Sequence, residues 1–104
     1  MEQRESDIQH QIMAYLAAIG VKAWRNNVGR RGGVSFGLAG LPDIIGYYKG
    51  GRFLGIEVKA AGGKVTPEQM DFINAAHEAG AIAIVARSVD DVMAALDYAD
   101  KGVL

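Results

Sequence analysis

Apolar residues return at Ile8, Ile12, Leu16 and Ile19, the spacing of one helix face, and Gly20 stands where such a helix stops. The pattern predicts a first helix over residues 4–19, with Ser6 and Gln9 at capping-box spacing. Val21 to Asn27 has strand-compatible composition. The following VGRRGGVSFGLAG carries neither period and five glycines, which predicts an irregular loop of roughly fourteen residues, a length usually kept for function. Two strand-like runs, Asp43 to Tyr48 and Arg52 to Lys59, flank KGG and read as a hairpin. Beyond the turn AAGGKV, Thr66 can cap a helix, Pro67 fits its first position and Gln69 completes a capping box, giving a second helix over Pro67 to Ala79 that ends at Gly80. AIAIVAR is a nearly unbroken apolar run of strand length, expected to be buried on both faces. Ser88 caps a third helix over Val89 to Tyr98, with Val89, Val92 and Leu96 on one side. The order α-β-β-β-α-β-α predicts one α/β domain spanning residues 1–104, a mixed central sheet flanked by helices.

Composition narrows the class. With 104 residues, half of them apolar and 22% charged, the chain suits a single globular domain with a modest core. It has no cysteine, which excludes disulfides and thiolate metal sites and suits a reducing compartment, so a cytoplasmic location is expected. The longest apolar run, Ala79 to Ala86, is far short of a bilayer span, and the charged start, Glu2, Arg4, Glu5 and Asp7, is unlike a signal peptide. No membrane partner is expected. The formal charge of −1 hides an asymmetry: residues 22–64 hold eight Lys and Arg against only Asp43 and Glu57. Such a segment fits one face meeting a polyanion, although long basic side chains in loops are as readily solvated.

The hairpin concentrates the candidate chemistry. If Lys49-Gly50-Gly51 is a three-residue loop, Tyr48 pairs with Arg52 and Asp43 falls opposite Glu57. Side chains alternate along a strand, so Glu57 and Lys59 share that face while Ile56 and Val58 point into the core. A two-residue loop would put Asp43 on the wrong side. Facing carboxylates repel, and a hard divalent cation relieves both at once with a carbonyl such as that of Val58 and waters. Lys59 then stands ready to orient or deprotonate water at the ion. Glu5 lies close to the Ile12 and Leu16 stripe on a helical projection and is a third candidate ligand. Plainer readings exist for each: Asp43 as a turn residue after Pro42, Glu57 and Lys59 as edge charges, Gln69 as a cap alone. His10 and His77 lack a second ligand nearby, and Trp24 and Tyr15 are expected in the core rather than as base-stacking platforms.

GLPDIIGYYKGGRFLGIEVKAAGGKVTPEQ resembles the motif core of the PD-(D/E)XK nuclease superfamily, with Pro42-Asp43, a hairpin, Glu57-Val58-Lys59 and a helix carrying Gln69. With ESDIQHQIMAYLAAIG, WRNNVG and FGLAGLPD added, nearly the whole chain resembles the virus-type replication-repair nuclease (VRR-NUC) family, in its minimal stand-alone phage and bacterial form. The resemblance implies Mg²⁺- or Mn²⁺-dependent hydrolysis of DNA phosphodiesters, in a bacterial cytoplasm or from a phage gene, and no organic cofactor. Position by position it makes Asp43 and Glu57 metal ligands, Lys59 the catalytic lysine, Glu5 the acidic residue of the first helix and Gln69 the motif glutamine. It further implies a homodimer that cuts four-way (Holliday) junctions in recombination and repair. Arg25, Asn26, Asn27, Arg30, Arg31 and Lys64 are the candidate phosphate contacts. The alternatives are a DNA-binding module without activity, a nuclease of nicking or restriction type, and a purely structural interaction domain.

Overall fold

A computed structural model describes residues 2–26, 29–31, 34–36 and 40–104, with 29–31 and 34–36 described as backbone. Helix α1 (Glu5–Ala18) is followed by strands β1 (Lys22–Arg25), β2 (Gly29–Arg31), β3 (Val34–Phe36) and β4 (Ile44–Tyr48). A single 3₁₀ turn, Lys49–Gly51, leads into β5 (Arg52–Val58), helix α2 (Pro67–Glu78), β6 (Ile82–Ala86) and helix α3 (Val89–Asp100). The main sheet runs β1-β4-β5-β6, antiparallel at its first two junctions and parallel between β5 and β6. Its order with the helices is the expected α-β-β-β-α-β-α. The segment expected to be an irregular loop instead contributes β2 and β3, which pair antiparallel as a separate small sheet. Each is only three residues long, too short for an alternation of apolar and polar positions to show in the sequence.

Two helices cover one face of the sheet and the third covers part of the other. Leu54, Ile56 and Val58 of β5 join Ile8, Ile12 and Leu16 of α1 and Val92 and Leu96 of α3 in one buried cluster. The alternate residues of β5 face the opposite way, where Phe53 meets Phe72 of α2 edge-on and Gln69 of α2 reaches Glu57. Helix α2 carries the predicted cap: Thr66 Oγ1 accepts from the Gln69 N–H at 3.2 Å and Gln69 Oε1 accepts from the Thr66 N–H at 2.9 Å. Helix α1 begins differently from expectation. Arg4 is its N-cap residue and donates its N–H to Asp7 Oδ2 at 3.3 Å, whereas Ser6 is already inside the helix.

Two glycines fit the hairpin to its neighbours. Gly50 and Gly51 both take positive φ, 77° and 76°, which lets three residues reverse the chain. Tyr48 consequently pairs with Arg52 and Ile44 with Ile56. Gly55 leaves room for the buried ring of Pro42 against the sheet, since a Cβ there would lie 2.9 Å from Pro42 Cγ and 3.1 Å from Phe53 Cε2. Gly55→Ala is therefore expected to destabilise the fold by about 1–3 kcal/mol, the cost of overpacking, and to displace Pro42-Asp43. A urea midpoint unchanged from the parent would show that Pro42 is not seated on this glycine.

Candidate metal centre

The hairpin register brings two carboxylates together at one end of the sheet. Continuing the Ile44–Ile56 pairing by one step places Asp43 opposite Glu57. Asp43 is tied down on both sides: its carbonyl accepts from the Asn26 N–H at 2.7 Å and its Oδ2 accepts from the Val58 N–H at 2.8 Å. A residue's N–H and C=O point to the same side of a strand, so the Val58 carbonyl also faces the Asp43 edge.

Glu57 is the one buried charged residue of the described structure, 2% exposed. Its Oε2 accepts from Gln69 Nε2 at 3.1 Å and lies 3.7 Å from Lys59 Nζ, a charge contact too long for a hydrogen bond. Its Oε1 is buried and has no partner. Burial first, then the adjacent Asp43 carboxylate, push the Glu57 carboxyl up to about 8; Lys59 opposes this and Glu5 adds to it. A buried acid beside a second acid keeps a proton at neutral pH unless a cation takes the proton's place. The free Oε1, the Asp43 carboxylate and the adjoining carbonyl form an all-oxygen set, the donor chemistry of a hard divalent ion, and so the residues fit such an ion.

Lys59 sits beside this pair with its side chain 11% exposed, held by its N–H to the Ala86 carbonyl at 3.1 Å. Gln69 serves the cap and the site together, because one end of its amide holds Thr66 and the other holds Glu57. Two sequence expectations change. Glu5 is exposed at the start of α1 and not part of the buried stripe, which begins at Ile8. Its charge still reaches Glu57, but among the described residues no group of three or more His, Cys, Asp or Glu converges on one point. Trp24, expected in the core, is 55% exposed, because α1 and α3 pack on the sheet face to which Ala23, not Trp24, belongs.

Among the candidate DNA contacts, Arg25 and Lys64 are exposed. Asn26 is half-buried beside Asp43, with a buried Nδ2 that has no partner. This orphan donor is a feature that spacing alone does not reveal. Asn27 lies outside the described residues, as do the side chains of Arg30 and Arg31. A concavity of about 620 Å³ lined by Tyr15, Tyr48, Leu96 and Asp100 includes none of the residues around Asp43 and Glu57. Its lining includes the 3₁₀ turn, at the opposite end of the hairpin from the carboxylates.

A family model described as the VRR-NUC domain matches residues 2–90. No curated protein and no solved structure gives a significant match.

Proposed function

Because the chain belongs to the VRR-NUC family, nucleases of the PD-(D/E)XK type that act on DNA, we propose that it is a structure-selective endonuclease working with Mg²⁺ or Mn²⁺ at Asp43, Glu57 and the Val58 carbonyl. The observation that carries this reading is the buried Glu57 with its unpartnered Oε1 against Asp43. A divalent ion bound there would polarise the scissile phosphate and make water a better nucleophile. The chain's own groups supply the rest. Gln69 Nε2 holds Glu57 by Oε2 and the Val58 N–H holds Asp43 by Oδ2, so each carboxylate keeps its other oxygen for an ion. Lys59 has three N–H donors and meets Glu57 only by charge, leaving them for a phosphate oxygen or the attacking water. Asn26, whose N–H is bonded to the Asp43 carbonyl, is assigned to a phosphate through its amide Nδ2, a donor and therefore not a cation ligand. Hydrolysis forms one bond from water oxygen to phosphorus and breaks one phosphorus–oxygen ester bond. The water's proton leaves to solvent and the departing oxygen gains one.

Arg25 and Lys64 are the exposed cations assigned to flanking phosphates, and Glu5 is a charge at the rim that tunes Glu57. The substrate is a branched DNA, four-way junctions foremost, and the working unit is a homodimer. One compact site makes one cut, so paired cuts in opposing strands need two sites related by a two-fold axis. Incubating the full chain with linear, nicked, flap and four-way DNA in Mg²⁺ or Mn²⁺ tests this, with sedimentation run alongside. Paired cuts near the branch by a dimer are expected. Equal cutting of linear duplex would overturn the branched preference, and DNA binding without cutting in either metal would favour a silent binding module.

A further inference from the structure

The sheet face that carries Glu57 is only partly covered. Directly paired residues share a face, so the ladder Trp24–Ile45–Gly55 and the ladder Lys22–Tyr47–Phe53 lie on the same side as Asp43, Glu57 and Lys59. Helix α2 reaches this side through Phe72 on Phe53 and Gln69 on Glu57. The β1 half stays open: Trp24 is 55% exposed and Tyr47 50%. Their rings stand 6.1 Å apart at 44°, so neither covers the other's face.

We propose that Trp24 and Tyr47 form a wall against which an unpaired base of the substrate strand stacks while its phosphate lies at the Asp43–Glu57 site; this rests on the nuclease reading above. The distance suits it. Trp24 is one strand across and two residues along from Asp43, roughly 8 Å between backbones, within one or two nucleotides of the reacting phosphate. The charge suits it as well. Apart from the carboxylate pair itself, the charged side chains that the described β1, β4 and β5 residues place on this face include Lys22 and Lys59. Aromatic rings interleaved with cations are what single-stranded nucleic acid binds, each stacked base adding affinity without sequence preference. A second copy of the chain would instead favour a core depleted of charge. A base free to stack here must already be unpaired, so the wall would select DNA opened at a branch over intact duplex.

The chain has one tryptophan, and its emission therefore reports this position alone. The full-length protein in EDTA would be titrated with a dye-labelled hairpin carrying an unpaired oligothymidine branch, and with a fully paired hairpin of equal length. Dye anisotropy reports binding and tryptophan emission reports stacking. Saturable quenching by the branched hairpin and little by the paired one is expected. Trp24→Ala should weaken branched binding about tenfold and leave paired binding almost unchanged, while Trp24→Phe keeps most of the affinity. Anisotropy that saturates with no change in emission would overturn the wall. So would a blue shift on raising protein concentration without DNA, which would mean that a second copy covers the indole. Quenching without cleavage in metal supports the wall and counts against the nuclease; cleavage without quenching does the reverse.

Discussion

Asp43→Asn is expected to reduce DNA cleavage at least about a hundredfold while making the metal-free protein more stable above about pH 8. The opposed signs come from one geometry. Asn is isosteric, so its Oδ1 can keep the 2.8 Å bond from the Val58 N–H and with it the register of Pro42 over Gly55. Its new amide N–H₂ faces Glu57, whose Oε1 has no partner, and can donate to it. Above about pH 8, where Glu57 has lost its proton and both groups are charged, a repulsion is thereby exchanged for a hydrogen bond, a gain of about 1–3 kcal/mol. What is lost is one of two anionic oxygen ligands, and with it tight binding of a divalent ion. Lys59→Ala should lose activity to a similar degree, since a nearly buried ammonium 3.7 Å from Glu57 is replaced by nothing. Timed cleavage of a four-way junction in Mn²⁺, together with urea unfolding in EDTA, reads both effects. Asp43→Asn protein that cuts at the parent rate, or unfolds at lower urea than the parent at pH 9, would remove Asp43 from the site.

The second large effect is in pH. Glu57 is pushed from its usual value to about 8 in the folded chain and returns to the ordinary carboxylate range on unfolding. Between those values the native state holds more protons than the unfolded one, so stability falls as pH rises. With metal absent, the protein should be most stable near pH 5 and lose roughly 2–5 kcal/mol by pH 8 and above. Glu57→Gln should flatten this profile, because a neutral amide fills the same volume without a proton to lose. Divalent ions should reverse the trend, binding more tightly as pH rises to about 8 and releasing a proton as they bind. Urea midpoints measured from pH 5 to 9 in EDTA and again in Mg²⁺ test both halves. An EDTA profile that is flat for the parent protein would mean that Glu57 is ionised throughout.

Much of the hairpin and its pairing could be read along the chain. KGG between two apolar runs left three residues for the reversal, two of them glycines able to take positive φ, and a three-residue loop sets every later pair. Local chemistry likewise determined the cap of α2, where Thr66, Pro67 and Gln69 satisfy donors within a single turn. The short β2–β3 pair escaped notice because three residues are too few to show a period.

Glu5 marks a different boundary. A helical projection gives a residue's angle around the axis but not whether the helix there still lies over the sheet, and α1 meets its core only from Ile8 onward. In the same way, alternation in β1 put Trp24 and Ala23 on opposite faces without revealing which face the helices would cover. The sequence by itself determined the three helices, the strands of the main sheet and, given a three-residue reversal, the register that sets Asp43 opposite Glu57, because these depend on patterns local to each element and turn. Tertiary structure alone decided that Gln69 leans on Glu57, that Glu57 keeps one oxygen unpartnered and that Trp24 stays open. Those depend on where α1, α2 and α3 settle against the sheet, and that is a matter of how whole faces pack together.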